Sequence, residues 1–236
     1  MPFKIIKNKD GYFVENLETG RRFSKKPMSE QNAIKQFKIL NKYLHTLEGS
    51  GMNRGEIEHN NYKALTDLDI KKYLGDDVKI ISHQELKDYK SIDELMPHKK
   101  DIVVIIWESS PNYGHWTLLS KYIDEETKKP TIESYDSYGY PINEPLKWIK
   151  KKSIDSTDYL TPLLKKAEKE GYDIIYNSKI FQNKKEDVAT CGRHCICRAI
   201  SIMKYNQSLS NYIKLFNEIK NTTGFDYDSI VSQLVP

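Results

Sequence analysis

The sequence predicts an α+β fold in which a central mixed sheet is flanked by helices, with a small N-terminal ββ(β)α unit. Residues 102–107 form a continuous apolar run, as expected of a central strand that is buried on both faces. Residues 191–205 carry apolar side chains at helical spacing. Strand patterns and helical patterns follow each other along the chain with no internal repeat, and this mixture is typical of the α+β class.

The N-terminal unit is predicted from turn and capping signals. Lys9-Asp10-Gly11 indicates a hairpin, because glycine adopts positive φ without strain. The predicted elements are strands at 3–6, 12–15 and 21–23, and a helix from an N-cap at Ser29 to about Tyr43. The glycines and serine that follow predict a flexible linker. We therefore expect an accessory unit at 1–48, a linker at 49–52 and a main domain at 53–236.

In the main domain, helices and strands are predicted in turn, with Thr66 as the N-cap of the first helix. Residues 109–114 contain proline, asparagine, serines and glycine and predict a loop. The predicted helices are 65–74, 91–96, 146–150, 159–169, 191–205 and 209–220, and the predicted strands are 78–81, 102–107, 116–123, 131–135 and 172–181.

Composition limits the class of protein. The 236 residues are 38% hydrophobic and 30% charged, which is ordinary for a globular protein, and no apolar run is long enough for a membrane helix. The N-terminus has no apolar signal sequence, and the three cysteines lie within seven residues, so we expect free thiols in an unsecreted protein. Residues 1–50 carry a net charge of +5 against +4 for the whole chain. This basic segment predicts contact with nucleic acid, or simply a solvated lysine-rich surface.

Cys191 is predicted at the first turn of a helix. Unpaired N–H groups and the helix dipole favour a thiolate there, and the same groups can bind an oxyanion. Gly192 would let a substrate backbone come close. The alternative is that Cys191 is a small buried apolar residue, as most free cysteines are.

Hairpin geometry predicts that a histidine lies next to a carboxylate. His115 begins a predicted strand that turns at 124–127 and returns toward Asp136. A turn centred between Glu125 and Glu126 places Asp136 directly opposite His115, where a carboxylate can hold the imidazole as a catalytic triad requires. A histidine with a purely structural role is the alternative.

Over residues 65–205 the combination of these motifs resembles the adenovirus endopeptidase (adenain) and the SUMO-specific proteases, which are papain-like cysteine proteases. The resemblance rests on Gly-His-Trp, on Tyr-Asp-Ser-Tyr-Gly and on a glutamine before Cys-Gly. It implies that His115 is the base, Asp136 the acid, Cys191 the nucleophile and Gln182 the oxyanion donor. Gln182 and Cys191 are nine residues apart, longer than is usual in that family, so Asn183 is a substitute for Gln182. Trp116 is expected to line the cleft or to belong to the core.

No metal or cofactor is expected, because Cys191, His194, Cys195 and Cys197 lie on one predicted helix with no second ligand cluster. Activation by DNA or by a peptide stays open. The predicted function is a cysteine endopeptidase that cleaves viral capsid precursors at glycine-containing sites during virion maturation, in the virion or in the cytoplasm of an infected cell. The alternatives are a protease acting on SUMO or ubiquitin conjugates of the host, and a basic nucleic-acid-binding protein without catalysis.

The linker matches the cleavage pattern of adenain-like proteases, an aliphatic residue followed by glycines at the third and fifth positions. Leu47-Glu48-Gly49-Ser50-Gly51 fits that pattern, so self-cleavage between Ser50 and Gly51 is predicted. Exposed, flexible linkers are typical sites of proteolysis. A plain flexible linker is the alternative.

Overall fold

The structure is a computed structural model that describes residues 3–17, 20, 22, 27–110, 113–149, 155–185 and 187–236. Its elements follow one another as strands and helices along the chain. They are β1 (Phe3–Asn8), β2 (Gly11–Asn16), α1 (Glu30–Gly49), α2 (Arg54–Tyr62), α3 (Asp67–Leu74), β3 (Lys79–Ser82), a 3-10 helix (His83–Asp88), α4 (Ile92–Leu95), β4 (Asp101–Ser110), β5 (Tyr113–Ile123), β6 (Pro130–Tyr135), α5 (Leu146–Ile149), α6 (Leu160–Lys169), β7 (Asp173–Tyr176), α7 (Cys191–Tyr205), α8 (Leu209–Thr223) and α9 (Tyr227–Leu234).

A five-stranded mixed sheet in the order β3-β4-β5-β6-β7 forms the centre of the protein. The three middle strands are antiparallel, whereas β3 and β7 run parallel to their neighbours. Along β4, Ile102 and Val104 belong to one hydrophobic cluster, and Val103 and Ile105 belong to the other. Both faces of the sheet are therefore covered, which explains the continuous apolar run, and the predicted α+β class is confirmed.

Helix α7 crosses one face of the sheet and is buried along most of its length. A buried ion pair fixes it to β6: Arg198 donates to both carboxylate oxygens of Glu133, at 2.7 and 2.6 Å. The hydroxyl of Tyr122 donates to the same carboxylate at 2.6 Å. Removing one partner of such a pair typically costs about 3–5 kcal/mol, because a buried charge is left uncompensated. The middle of α7 is thus held firmly against the sheet.

The N-terminal residues form the predicted hairpin of β1 and β2, with Gly11 at φ 143° in the turn. Helix α1 begins after Ser29, whose hydroxyl accepts from the Asn32 amide, but it continues to Gly49 and not to the predicted end near Tyr43. Buried side chains of this unit, such as Val14 and Leu40, share a hydrophobic cluster with α7, α8 and α9. The boundary at 49–52 stays a prediction. In the predicted strand 21–23 only Arg22 lies among the described residues, as an isolated bridge to Glu15.

Several predicted boundaries were wrong near the site. Strand β4 continues to Ser110 and pairs with Tyr113, so much of the predicted loop 109–114 is a hairpin. Strand β7 ends at Tyr176 and not at 181, because the Asn177 side chain bonds the carbonyls of Asp136 and Lys179 and turns the chain. Helices α2 and α9 and the 3-10 helix were not predicted. In the part of the chain that the structure describes, no helix combines the length and apolar character needed to cross a membrane.

Candidate active site

Cys191 is the first residue of α7, as predicted, and only 8% of its surface is exposed. Its thiol is hydrogen-bonded to His115 and to the backbone N–H groups of Trp116 and Gly192. Burial alone would raise the pKa of the Cys191 thiol, but the contacts with His115 and these amides outweigh it and lower that pKa. These contacts therefore favour the thiolate form of Cys191.

The two neighbouring cysteines have the opposite chemistry. Burial raises the pKa of Cys195, and it raises the pKa of Cys197 to about 12. Both thiols are therefore neutral near neutral pH and pack in the core with α8 and α9. Among the described residues, no group of three His, Cys, Asp or Glu side chains is arranged to hold a metal ion. The expected absence of a cofactor stays a prediction.

His115 lies inside β5, opposite Trp107, and not at the junction of a loop and a strand. Its Nε2 is 3.0 Å from Oδ1 of Asp136, and both side chains are buried. Burial lowers the pKa of His115, but the charge and hydrogen bond of Asp136 and the contact with Cys191 outweigh it and raise that pKa to about 10. These contacts favour a protonated imidazole beside the sulfur, and Nδ1 is the ring nitrogen left to face Cys191.

The hairpin register differs from the prediction. Leu118 pairs with Tyr135 and Ile123 with Pro130, so the position opposite His115 corresponds to Tyr138 and Asp136 is a diagonal neighbour. The turn is centred one residue later than expected, because the Asp124 carboxylate accepts from the amides of Glu126 and Thr127. Diagonal neighbours on a hairpin remain within reach of long side chains. The contact between His115 and Asp136 therefore forms in spite of the wrong register.

Tyr138 is a site residue that sequence reasoning missed. Its ring stacks on the His115 imidazole with centroids 4.8 Å apart and planes at 21°. Its backbone amide donates to Oδ1 of Asp136 at 2.8 Å, and its hydroxyl lies 3.2 Å from Nε2 of Gln182. Its position in Tyr-Asp-Ser-Tyr-Gly was visible in the sequence, but only the true register places it over the imidazole.

Gln182 is buried in the loop that follows β7, and it lines the same cleft as Cys191 and His115. Its Oε1 accepts from the Ser137 hydroxyl at 2.7 Å, and its Nε2 donates to the Val188 carbonyl at 2.8 Å. The substitute, Asn183, has an exposed side chain whose Oδ1 accepts from the Lys185 amide. Of the two residues, Gln182 is the one that lines the cleft together with Cys191.

The cleft has a volume of ≈ 1010 Å³ and is open to solvent along one side. Trp116 both lines it and belongs to the core, because its indole N–H donates to the Leu65 carbonyl at 3.0 Å. A β-carbon at Gly192 would lie 3.2 Å from Leu65 and 3.3 Å from Trp116, so a larger residue there would require these side chains to move by a few tenths of an ångström. Aromatic and charged side chains complete the wall: Tyr113, Tyr140, Asp67, Glu85, Lys184 and Lys185.

Ser50 and Gly51 lie apart from this cleft. Ser50 follows α1 and lines a separate cavity with Met52 and the C-terminal residues, and Gly51 is exposed at φ 61°. Residues 47–49 are the last turn of α1, so the first three residues of the predicted cleavage sequence 47–51 are helical. Self-cleavage there stays a prediction.

Comparison with known proteins places the chain in a family. No family model matches it. The uncharacterized protein V9 of Sputnik virophage is 32% identical over 173 residues, which cover 68% of this chain and 93% of V9. The chain belongs to the same family as V9.

Two solved structures resemble this member of the V9 family only distantly. The ASFV pS273R protease has a TM-score of 0.45 and 13% identity, over 88% of this chain and 82% of its own. A de-sumoylating protease has a TM-score of 0.29 and 11% identity, over 99% of this chain and 91% of its own. Because both scores are low, the chemistry of the site has to be argued from its own geometry.

Proposed function

We propose that this protein is a cysteine endopeptidase with Cys191 as nucleophile, His115 as acid and base, and Asp136 as the residue that orients His115. The observation that carries the proposal is a continuous hydrogen-bonded chain from Asp136 through His115 to Cys191. It ends at the N-terminus of a helix and on the wall of an open cleft. A lowered thiol pKa, a histidine base and a carboxylate that holds the base are what thiol catalysis requires.

The reaction follows from these positions. The Cys191 thiolate attacks the carbonyl carbon of a peptide bond, and the carbonyl electrons move to the oxygen. The N–H groups at the start of α7 face the developing oxyanion. As the C–N bond breaks, His115 gives its proton to the leaving amine, and it then takes a proton from the water that hydrolyses the thioester.

Gln182 is proposed as the side-chain donor to the oxyanion. In the free protein its Nε2 already donates to Val188 and contacts the Tyr138 hydroxyl. The contact with Tyr138 is the longer of the two, at 3.2 against 2.8 Å, so we expect the oxyanion to replace it. Gln182→Ala should lower kcat by about 10²–10³-fold with little change in KM, the range for losing one such donor.

The proposed substrates are viral structural precursor proteins that are cut at glycine-containing sites during virion maturation. Membership of a virophage protein family supports a viral setting. Trp116 and Tyr138 lie on the cleft wall with Cys191, and such bulky rings favour a substrate with little side chain at the scissile bond. Capsid contact, a place in the virion or infected-cell cytoplasm, and nucleic-acid contact through residues 1–48 are parts of the same proposal.

The test is to incubate purified protein with the structural proteins of a Sputnik-like virophage and map new termini by mass spectrometry, with Cys191→Ala as control. New termini beside glycine in the active sample alone are expected. In parallel, ubiquitin and SUMO probes with a C-terminal electrophile test the deconjugating alternative. If those probes label Cys191 and virion proteins are not cleaved, the deconjugating role would replace the maturation role. If no substrate is cleaved in a Cys191-dependent way, the proposal of a peptidase would be wrong.

A further inference from the structure

Asp228, on α9, contacts both ends of the loop that separates Gln182 from Cys191. Its Oδ2 accepts from the backbone amide of Asn183, next to Gln182, at 2.9 Å. Its Oδ1 accepts from the hydroxyl of Thr190, next to Cys191, and lies 3.2 Å from Nε2 of His194 in the first turn of α7. One carboxylate thus joins the segment that carries the oxyanion donor to the segment that carries the nucleophile.

The environment of Asp228 favours a charged, firmly held carboxylate. The side chain is buried, with 4% of its surface exposed. Burial acts to raise the pKa of Asp228, but the hydrogen bonds from His194, Thr190 and Asn183 outweigh it and lower that pKa. Hydrogen bonds to an ionised acceptor are shorter and stronger than neutral ones. Asp228 is therefore a strong point of attachment for both ends of the loop.

The loop needs an external attachment because its middle is solvated. Asn183, Lys184, Lys185 and Asp187 are all exposed. On the other side, Gln182 is tied to the end of β6 through its backbone amide and the Ser137 hydroxyl. Those bonds set Gln182 relative to the sheet, and its Nε2 also donates to the Val188 carbonyl within the loop. Asp228 adds a contact from one side chain to both residues that flank the loop, Asn183 next to Gln182 and Thr190 next to Cys191.

We propose that Asp228 is a positioning residue that sets the Gln182 amide at the correct place relative to the Cys191 thiol. It acts through Asn183 and Thr190 and touches neither the substrate nor the reacting sulfur. The inference rests on the peptidase activity proposed above. It explains how a nine-residue separation between donor and nucleophile is compatible with an oxyanion site.

Asp228→Asn weakens the tether. Asparagine has one acceptor oxygen in place of two, so it can accept from the Asn183 amide or from Thr190 and His194 but not from both arms, and the negative charge that strengthens these bonds is lost. On a peptide found by the terminus mapping above, we expect kcat to fall by about 10- to 100-fold, less than for deleting an oxyanion donor. KM and the rate of Cys191 alkylation should change less than about 3-fold, because neither depends on the Gln182 donor.

The matched control is Asp226→Asn in the same segment. Asp226 is exposed and caps α9 by accepting from the Ser229 amide, a role that asparagine also fills. Its kcat should equal that of the wild type. If Asp226→Asn lowered kcat as much as Asp228→Asn, disturbance of α9 would explain both, and the positioning role would be wrong.

A double mutant tests whether Asp228 acts through Gln182. In a Gln182→Ala background, Asp228→Asn should lower kcat less than about 2-fold further, because the donor that it positions is gone. If the decrease in kcat of the double mutant equals the product of the decreases in the two single mutants, the proposal is wrong. If Asp228→Asn does not fold, Asn183→Pro removes the same backbone N–H at an exposed position. The ratio of its kcat to that of Asn183→Ala then measures the loss of the backbone hydrogen bond alone. A ratio near one would also overturn it.

The two proposals can fail separately. Amide hydrogen exchange at residue 183 should be faster in Asp228→Asn than in the wild type, whatever the activity, because the ionised acceptor of that amide is lost. Faster exchange with an unchanged kcat would overturn the positioning role and leave the peptidase intact. If exchange is faster in Asp228→Asn but the wild type shows no Cys191-dependent hydrolysis, the proposal of a peptidase is wrong. The hydrogen bonds of Asp228 would then have no catalytic role.

Discussion

Asp136 holds the imidazole of His115 across a diagonal of the β5–β6 hairpin, with 3.0 Å between Oδ1 and Nε2. The same carboxylate oxygen accepts from the Tyr138 amide, so one atom orients the histidine and the residue that stacks on it. The acid therefore sits just beyond the end of β6, where the chain leaves the sheet, while the base sits within β5. This offset lets the ring be held from its edge by Asp136 and from its face by Tyr138.

Cys191→Ala should abolish peptide hydrolysis while leaving the fold intact, because alanine at the start of α7 removes only the sulfur. His115→Ala should be similarly inactive, since members of a triad act as a unit and their losses do not add. Hydrolysis is measured on the substrates of the terminus-mapping experiment, with circular dichroism to confirm folding. Retained hydrolysis in folded Cys191→Ala would exclude Cys191 as the nucleophile.

The pH dependence of Cys191 alkylation reports on the ion pair. The pKa of Cys191 is lowered and that of His115 is raised to about 10, so the ion pair of thiolate and imidazolium exists between the two pKa values, and the thiolate is lost as pH falls through the Cys191 pKa. Iodoacetamide should therefore modify Cys191 with a rate profile centred below the ordinary thiol pKa of about 8.5. Mass spectrometry gives the rate for each cysteine, and Cys195 and Cys197 serve as internal controls because burial raises their pKa.

In His115→Ala the same profile should move to higher pH, because burial then becomes the dominant influence on the Cys191 thiol. The rate at pH 7 should fall by about 10-fold or more, in proportion to the lost thiolate. A wild-type profile centred near pH 8.5, or one unchanged by His115→Ala, would mean that no ion pair forms.

Asp136→Asn should be damaging but milder than loss of His115. Asparagine keeps one oxygen that can accept from His115 Nε2 and the Tyr138 amide, but the charge that raises the His115 pKa is lost. We expect kcat to fall by about 10- to 10³-fold, less than the roughly 10⁴-fold typical when a triad histidine adopts the wrong tautomer. Asp124→Asn is the control, because it changes a turn residue that asparagine replaces well. An active Asp136→Asn beside an inactive Asp124→Asn would refute the assignment.

Two substitutions at Tyr138 separate its ring from its hydroxyl. Tyr138→Phe keeps the stack on His115 and removes the contact with Gln182, so kcat should fall only about 2- to 10-fold, as expected for one weak hydrogen bond. Tyr138→Ala also uncovers the imidazole. Because burial acts to lower the His115 pKa, solvation of the ring should relieve that effect, raise the His115 pKa and shift the alkylation profile. If Tyr138→Phe were as inactive as Tyr138→Ala, the hydroxyl would have a direct catalytic role.

Which parts could be predicted depends on how local their causes are. The start of α7 at Cys191 follows from a nearby apolar stripe, and the apolar run of β4 follows from burial on both faces. The hairpin register depends on hydrogen bonds made by Asp124 within its own turn, which no apolar period reveals. The contacts of Asp228 could not be predicted from the sequence, because its partners Asn183 and Thr190 are 45 and 38 residues away in the chain.

Self-cleavage between Ser50 and Gly51 is the last prediction. Residues 47–49 belong to α1, and Ser50 lines a different cavity from Cys191. The bond between Ser50 and Gly51 can therefore enter a cleft only if the end of α1 unwinds. The simplest cleft for it to enter is that of a second molecule. The reaction should therefore be slow and its rate should rise with protein concentration. A new N-terminus at Gly51 should appear during long incubation of the wild type and not of Cys191→Ala. The fragments should stay together without denaturant, since Val14 and Leu40 share a hydrophobic cluster with α8. An intact chain in a sample that digests a Leu-Glu-Gly-Ser-Gly peptide would show that the helix protects the linker.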